Sequence, residues 1–519
     1  MAKNGADTVT QTWLDRAIGF FAPASALRRI RARAAAAVIL RHYEGAASGR
    51  RTQGWARSGS DANAAAVPFL KNLRNSARDL VRNNGYAESA ITTICDHVVG
   101  WGIVAKPKPT NAKAVVVWEA WAGTTACDAD GRQTFAGLQH LVMRTVVEAG
   151  EVLVRRRLRK PEDNLPIPVQ IQVLEPDYLD TAKTDVRLPN GGRITAGIET
   201  DAIGRRVAYW LFQEHPGAAQ ASLAASVRVP AESVLHIFRQ DRASQVRGAS
   251  WFAPVLLKFK DFDDFDDATL MRQKVAACLA IVTTDVDGQA TPIGTVDPAN
   301  PMIEELQPGA MLNLPPGRAV TVVDPPSVRE FSDYTKTTLR AVATGLGVSY
   351  EDLTGDYSEV NFSSARMSRL RHWARVDDWR WRMLIPQFCN PVWVWAMELA
   401  VMLENGPRTV PVAEWTAPPI PMIEPDREGL AYQRNIRTGI QTLSEAIRER
   451  GYDPEELLNE MAADNKLIDK LGLVLDSDAR QNTQAGLPRQ PEPAAAPPPK
   501  PAPAAEPDED DEDDEDEET

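Results

Sequence analysis

The chain is poor in the residues on which catalysis and covalent cross-linking rest. Its 519 residues include only six histidines and four cysteines. Cys95, Cys127, Cys278 and Cys389 are scattered and show no Cys-x-x-Cys spacing, so a disulfide framework is not expected and a reducing compartment fits. His-Glu-x-x-His, Gly-x-Ser-x-Gly and Gly-x-x-x-x-Gly-Lys-Ser/Thr are all missing, which removes the common zinc-hydrolase, serine-hydrolase and phosphate-loop readings. Long apolar runs are missing too. The most apolar late stretch, Val392 to Leu403, is too short to span a bilayer and carries Glu398. Asp7, Asp15 and Arg16 interrupt any apolar core near the start, so no secretory signal is read there. The expectation is a soluble, cytosol-made protein with no membrane partner, no cofactor and no metal.

What is there is globular material with an acidic end. Hydrophobic residues make up 43%, and the length allows about three or four structural units. The formal net charge is −13, yet Asp508 to Glu518 is an unbroken run of acids, so the rest of the chain is close to neutral. From Asp476 the apolar pattern is lost, Pro488 to Pro507 is rich in proline and alanine, and disorder is expected throughout. The acidic run either mimics or repels DNA, or is a self-repelling solvated tail; both readings stand.

Periodicity orders the remainder. Gln11 to Phe21 has the spacing of a short amphipathic helix, and Arg28, Arg29, Arg31 and Arg33 read as a solvated face in preference to a nucleic-acid contact. Gly45 to Asp61 reads as a mobile connection or a subunit-contacting arm. Two helices are expected from Pro68 to Val99, broken at Asn83-Asn84-Gly85, then Lys113 to Ala122 and Phe135 to Ala149. Strands are expected at Glu151 to Leu158, Val169 to Leu174, Val207 to Phe212 and Ser233 to Phe238. A long helix starts at Pro254 and reaches Thr283, about 45 Å at 1.5 Å per residue. A β-rich excursion comes next, then a second helix with Ser327 and Glu330 at capping-box spacing. A third helical stretch, from Met367 to Leu384, is expected to be bent or broken by Pro386 and Pro391. After a Pro-rich connector from Trp415 to Pro425, one amphipathic helix carries Ile436, Ile440, Leu443 and Ile447 and ends at Gly451. Another starts at Asp453-Pro454-Glu455-Glu456 and ends at Gly472. The fold class is α+β, mainly helical.

Between the second and third of the long helices lies Leu353 to Arg366, LTGDYSEVNFSSAR, a polar loop with Asn361, Ser363 and Ser364 placed to cap the third. It holds no nucleophile beside a base, no phosphate cradle and no ligand set, and suits contact with something large. Other candidates for chemistry are weaker than their bland alternatives. Asp263, Asp264, Asp266 and Asp267 fan apart on one helix without a His or Glu to complete a two-metal shell, so a solvated or channel-facing acidic face is preferred. Cys95 and His97 lack two further ligands and read as core packing. His236 reads as a satisfied buried histidine. Trp373, Trp379, Trp381, Trp393 and Trp395, interleaved with arginines, suit stacking on nucleic acid. Asp377 and Asp378 interrupt that positive field, and packing is preferred.

Two stretches carry a family resemblance. Val229 to Leu257, VPAESVLHIFRQDRASQVRGASWFAPVLL, resembles the central motif of the lambda-type portal proteins of tailed phages at Val234, His236, Phe238, Arg242, Gln245, Arg247, Gly248, Ala253 and Pro254. The loop from Leu353 resembles the same family at its tunnel loop, and the likeness covers Pro68 to Leu475. It implies a portal fold that assembles into a ring, usually a dodecamer, at one capsid vertex. Double-stranded DNA enters and leaves through that ring. The implied parts are an N-terminal arm (1–67), a wing (68–250), a first stem helix (251–284), a clip (285–326), a second stem helix (327–346), the tunnel loop (347–361), a wing and tunnel helix (362–421), a crown (422–475) and a disordered tail (476–519). The clip is expected to dock the terminase large subunit and later the head–tail connector, and the major capsid or scaffold protein is a further expected partner. Thr354, Gly355, Asp356, Tyr357, Ser358 and Asn361 are expected to face DNA. Asp263, Asp264, Asp267, Lys336 and Arg340 are expected to line the bore, with Lys336 and Arg340 giving light positioning or pairing with a neighbouring subunit. Arg242, Gln245 and Arg247 are expected to make structural or subunit contacts. No enzymatic activity is expected. The rival readings are a metal-dependent nuclease built on the aspartates and a monomeric nucleic-acid-binding adaptor built on the Arg/Trp helix.

Overall fold

Two helices, α1 (Leu70–Asn83) and α2 (Gly85–Val98), open the main body. The computed structural model describes residues 20, 22–25, 54, 58–108, 111–219, 225–277, 281–285, 318–322, 331–475, 478 and 480. Asn84 separates the helices as expected. Its backbone is extended, and its side-chain oxygen accepts from the N–H groups of Tyr86 and Ala87, which α2 itself leaves without partners. Then come β1 (Val104–Lys108), α3 (Ala112–Ala122) and α4 (Phe135–Ala149), the two helices capped by Asn111 and Thr134.

The β region starts with β2 (Glu151–Leu158) and β3 (Val169–Leu174). An antiparallel meander comes next: β4 (Val186–Arg187), β5 (Arg193–Thr195), β6 (Ile198–Thr200), β7 (Arg206–Leu211) and β8 (Val227–Pro230). β9 (Val234–Phe238) returns to pair with β2, which thereby sits between β3 and β9. Leu153, Leu174 and Val234 of this sheet pack against Ile198, Tyr209, Leu211 and Val229 of the meander.

The later elements are α5 (Leu256–Ala277), the hairpin-like pair β10 (Ile281–Asp285) and β11 (Arg318–Val322), α6 (Phe331–Leu346), α7 (Tyr350–Thr354) and α8 (Phe362–Trp379). A π-helical segment, Arg380–Cys389, joins α8 to α9 (Asn390–Ala400). β12 (Val412–Thr416), α10 (Pro425–Thr438), α11 (Leu443–Glu449) and α12 (Pro454–Leu471) complete the described body.

The structure departs from the sequence reading in informative places. The helix expected to reach Thr283 ends at Ala277, and Thr283 lies in β10. Pro254 lies in a turn before that helix. Two prolines were expected to bend or break the third helical stretch. The α-helical pattern is interrupted around Pro386, which sits inside the π-helical segment, whose i→i+5 pattern redistributes the hydrogen bonds that a proline interrupts, while Pro391 occupies the first turn of α9. The single helix expected through Ile436 and Ile447 is two, because Gly439 turns left-handed (φ 73°) and closes α10. Strands β1 and β12 went unread; each is short, and they pair across the sequence. The segments expected as the N-terminal arm, most of the clip and the acidic tail, together with the Ser327/Glu330 cap, lie largely outside the described residues.

Four of the five tryptophans of the Arg/Trp stretch are buried as packing residues, and Trp381 is exposed. Trp118, Trp121, Phe135, Phe388, Trp393 and Trp415 form one aromatic knot. Trp118 and Trp393 centroids are 4.7 Å apart, and Phe135 stacks on Phe388 at 5.4 Å. The indole N–H groups of Trp121, Trp393 and Trp415 donate to Val169 O, Pro411 O and Asn390 Oδ1, so burial leaves none of these three donors unmet.

At the start of β2 the chain buries a charge. Glu151 is fully buried, and both its carboxylate oxygens accept from Arg247, whose Nη1 donates to Ala196 O. His236 Nε2 and the Gly248 N–H also donate to Glu151 Oε2, at 2.9 and 2.8 Å. Glycines make this approach feasible. Gly150 closes α4 left-handed (φ 92°), and a Cβ there would sit 2.2 Å from the Ala249 carbonyl carbon. Burial alone would raise the Glu151 pKa, but Arg247 and His236 hold it well below the usual carboxylate range. Burial pushes His236 down from 6.5 to about 4, so it is neutral at neutral pH and donates through Nε2.

Arg247→Ala strands the Glu151 carboxylate in the core, and a loss of about 3–5 kcal/mol is expected in denaturant unfolding. Arg247→Ala with Glu151→Leu should recover part of it. The pH dependence has a definite sign. The unfolded chain binds a proton on His236 near 6.5 that the folded chain refuses until about 4, so stability is full above pH 6.5 and declines as pH falls toward 4. His236→Gln should flatten the melting temperature across that window.

Candidate functional site

The polar loop is built outward from α2. Ser349 caps α7, accepting from the Asp352 N–H and donating to Asp352 Oδ2. The carbonyls of Leu353 and Asp352 accept from Ser89 Oγ and Thr93 Oγ1 of α2, and Leu353 is buried. These bonds seat α7 on α2. Leu353 and Thr354, read as loop residues, are thus the end of a helical turn. Thr354 Oγ1 donates to Tyr350 O and accepts from the Asp356 N–H. Gly355 (φ 70°) ends the turn left-handed.

Beyond Gly355 the loop organises on Asp356. Its carboxylate accepts from Tyr350 Oη at 3.1 Å and from the Ser358 N–H and Oγ at 3.1 and 2.6 Å. These hydrogen bonds, the Ser358 hydroxyl first among them, hold its pKa below the usual value. Tyr357 is 61% exposed, its carbonyl accepts from the Val360 N–H, and the residue borders a cavity beside His97 and Asp352. Asn361 stands at the start of α8, where its carbonyl accepts from the Ala365 N–H.

Lys336 and Arg340, four apart on α6, meet this loop through Glu359, a residue the sequence reading passed over. Lys336 Nζ lies 2.5 Å from Glu359 Oε1, and Arg340 Nη2 lies 3.1 Å from Oε2. The bond to Lys336 lowers the Glu359 pKa and raises that of Lys336. Arg340 also lies over the Tyr350 ring, 5.2 Å from its centroid. Both cations were expected to position DNA or to pair with a neighbouring subunit; their partner here is a carboxylate of the same chain. Lys and Glu four residues apart announce themselves in a helix, but a pair separated by a loop leaves no such trace.

The aspartates of α5 do not come together as a ligand set. Asp263 is half-buried and accepts from Asn84 Nδ2 at 2.7 Å; its pKa is raised by burial. Asp264 pairs with Lys260, and Asp267 is exposed. They are absent from both groups of potential metal ligands found among the described residues. α5 packs on α6 through Phe265, which stacks on Phe331 at 5.9 Å and meets Tyr334 at 4.2 Å. Of the motif residues, Arg247 is buried on Glu151. Gln245 donates to Arg247 O and accepts from the N–H groups of Asp241 and Arg242, and exposed Arg242 reaches Ser60 O at 3.3 Å.

This geometry defines a structural scaffold that carries a braced polar loop. Residues 48–380 match the family described as phage portal protein, lambda family. The chain belongs to that family, and its function is that of a phage portal, the conduit and connector at a capsid vertex; the nuclease and adaptor readings fall away. Curated relatives include a probable portal protein of Halomonas phage phiHAP-1, 27% identical over 432 residues (77% of this chain, 81% of the relative). Portal protein B of Escherichia phage lambda is 24% identical over 384 residues (64% and 69%). Among solved structures, the chain is similar to one in "Neck of native GTA particle computed with C12 symmetry", with a TM-score of 0.45, 15% identity and coverage of 74% and 94%. It is also similar to an HK97 family phage portal protein from Corynebacterium diphtheriae, with a TM-score of 0.31, 9% identity and coverage of 65% and 93%. Among the described residues no helix is long and apolar enough to cross a membrane.

Glu359→Ala leaves Lys336 and Arg340 without their carboxylate. The expected outcome is DNA retention that falls more steeply with salt, each phosphate newly neutralised adding about 0.9 to the slope of log affinity against log salt. Filter binding across a salt series reads it directly.

Proposed function

We propose that copies of this chain close into a ring, a dodecamer in the particle, whose axis passes double-stranded DNA inward during packaging and outward at ejection. Thr354, Gly355, Asp356, Tyr357, Ser358 and Asn361 face the duplex, with Asp263, Asp264 and Asp267 of α5 and Lys336 and Arg340 of α6 along the bore. Residues 68–250 form the wing, 251–284 and 327–346 the stem, 347–361 the tunnel loop, 362–421 a wing and tunnel helix, and 422–475 the crown. Residues 285–326, mostly outside the described part, form the clip that receives the terminase large subunit and then the head–tail connector. The major capsid or scaffold protein surrounds the ring. Assembly takes place in the host cytoplasm, and the portal contributes no chemistry of its own.

The observation that carries this reading is the neutralisation of Lys336 and Arg340 by Glu359. Free cations beside a passing duplex would capture phosphates and hold them. Paired cations next to an acidic, internally hydrogen-bonded loop offer a surface over which DNA moves. Arg242 and Gln245, near the exposed Ser60 segment, sit where a neighbouring copy would meet this one.

Electron micrographs of the purified protein are expected to show rings with a central hole wide enough for a duplex. Particles that remain single and compact under every assembly condition would refute the proposal.

A further inference from the structure

The sequence reading pairs His97 with Cys95 alone; the fold brings it two other partners. His97 on α2, Asp352 on α7 and His372 on α8 each place a ligand atom within 4.8 Å of the others. His97 Nδ1 and His372 Nε2 are 2.7 Å apart, between residues separated by 275 positions. The far side of His372 is already fixed: its Nδ1 lies 3.3 Å from Gly347 O, the arrangement by which a backbone carbonyl sets the tautomer of a metal-ligating histidine and frees Nε2. Asp352 is oriented in the same way, because Ser349 Oγ donates to its Oδ2 at 2.7 Å. A cavity of about 210 Å³ borders the group and is lined by His97, Asp352, Tyr357, Arg369, His372 and Ile423 among others.

We propose that His97, Asp352 and His372 form a binding site for a divalent transition metal of the zinc type, with water from the bordering cavity as the fourth ligand. Two imidazoles and one carboxylate match the donor preference of zinc, and of cobalt as its probe, far better than that of magnesium or calcium. The present contact is a hydrogen bond, which requires one ring to hold the proton between the two nitrogens. Metal binding moves the His97 proton from Nδ1 to Nε2 and parts the rings, since two nitrogens on one tetrahedral ion stand about 3.3 Å apart. Asp352, with Asp96 beside His97, favours a cation there, whereas Arg369 and Arg375 oppose it. The other carboxylate–histidine group, Glu175, Asp177 and His215, is a poorer candidate. Arg74 and Arg78 already bind its carboxylates at 2.6 to 3.0 Å.

A bound ion would tie α2, α7 and α8 together at the root of the polar loop. Its consequence for DNA passage rests on the portal reading; the site itself does not.

Untagged full-length protein, stripped with chelator, is titrated with Co²⁺ and then Zn²⁺. Expected are the intense visible bands of four-coordinate cobalt at one equivalent per chain, displaced by zinc. A loss of affinity of at least about tenfold is expected in His97→Gln, His372→Gln and Asp352→Asn, with His215→Gln unchanged. Asp352→Asn preserves shape at a half-buried position and serves where a histidine variant does not fold. The assignment is overturned if wild-type protein gives no such bands, if they persist undiminished in Asp352→Asn, or if His215→Gln abolishes them.

Discussion

Much of the α+β half hangs on one buried carboxylate. Glu151 gathers Arg247, His236 and the Gly248 N–H around a single point, and through Arg247 it reaches Ala196 at the turn between β5 and β6. Arg74 of α1 stands 4.0 Å away and bridges on to Asp177. A buried ion pair of this kind adds little net stability over a well-packed apolar replacement. What it does is penalise alternatives: any register of β2 against β9, or any path of the chain past Gly248, that removes one donor leaves an ionised group in the core. The close crossing of Gly150 and Gly248 has the same origin, because a Cβ on either glycine would collide with the backbone of the other segment. Arg247 and Gly248 are thus both committed inside this chain, to the buried carboxylate and to the close backbone crossing.

That division also marks what the sequence made legible. Helices with a polar cap and an apolar stripe declared themselves, and α4, β2 and β3 lie where periodicity put them. Their signals are local. The sheet strands β1 and β12 gain their meaning only from each other, across most of the chain, and neither has a pattern that stands alone. The ends of α5 and α10 were misjudged because apolar spacing runs on to Val282 and past Gly439, whereas Thr283 already lies in β10 and Gly439 turns left-handed. At the loop, residue types identified the segment, but its supports were invisible. Glu359 had no reading of its own, and His97 was paired only with Cys95, until the fold brought α6 and α8 next to them.

The electrostatics have a consistent theme. Two cations beside the loop, Lys336 and Arg340, are answered by Glu359, and elsewhere Arg382 pairs with Asp378 and Lys260 with Asp264. Exposed pairs like these contribute little to stability. Their effect is to neutralise fixed positive charge at those surface positions. The tryptophans that could have stacked on bases are, apart from Trp381, sealed in the core.

One helix connects these features. α2 meets α5 at its N-terminal cap, where Asn84 donates to Asp263, and meets α4 through the Glu88–Arg144 pair. It holds α7 through Ser89 and Thr93, touches α8 at His97, and ends against Arg380, whose guanidinium donates to the carbonyls of His97 and Val98. Arg380 is 2% exposed, and burial draws its pKa down to about 10; it remains charged, the sign that the carbonyl end of a helix favours. Because α2 contacts α5, the seat of the loop and the π-helical segment at once, a push on the loop is received by a packed strut and not by a free hinge. Close-packed interiors transmit such displacements with little compliance. The loop can therefore stay polar and exposed at its tip while its position is set by the rigid body behind it.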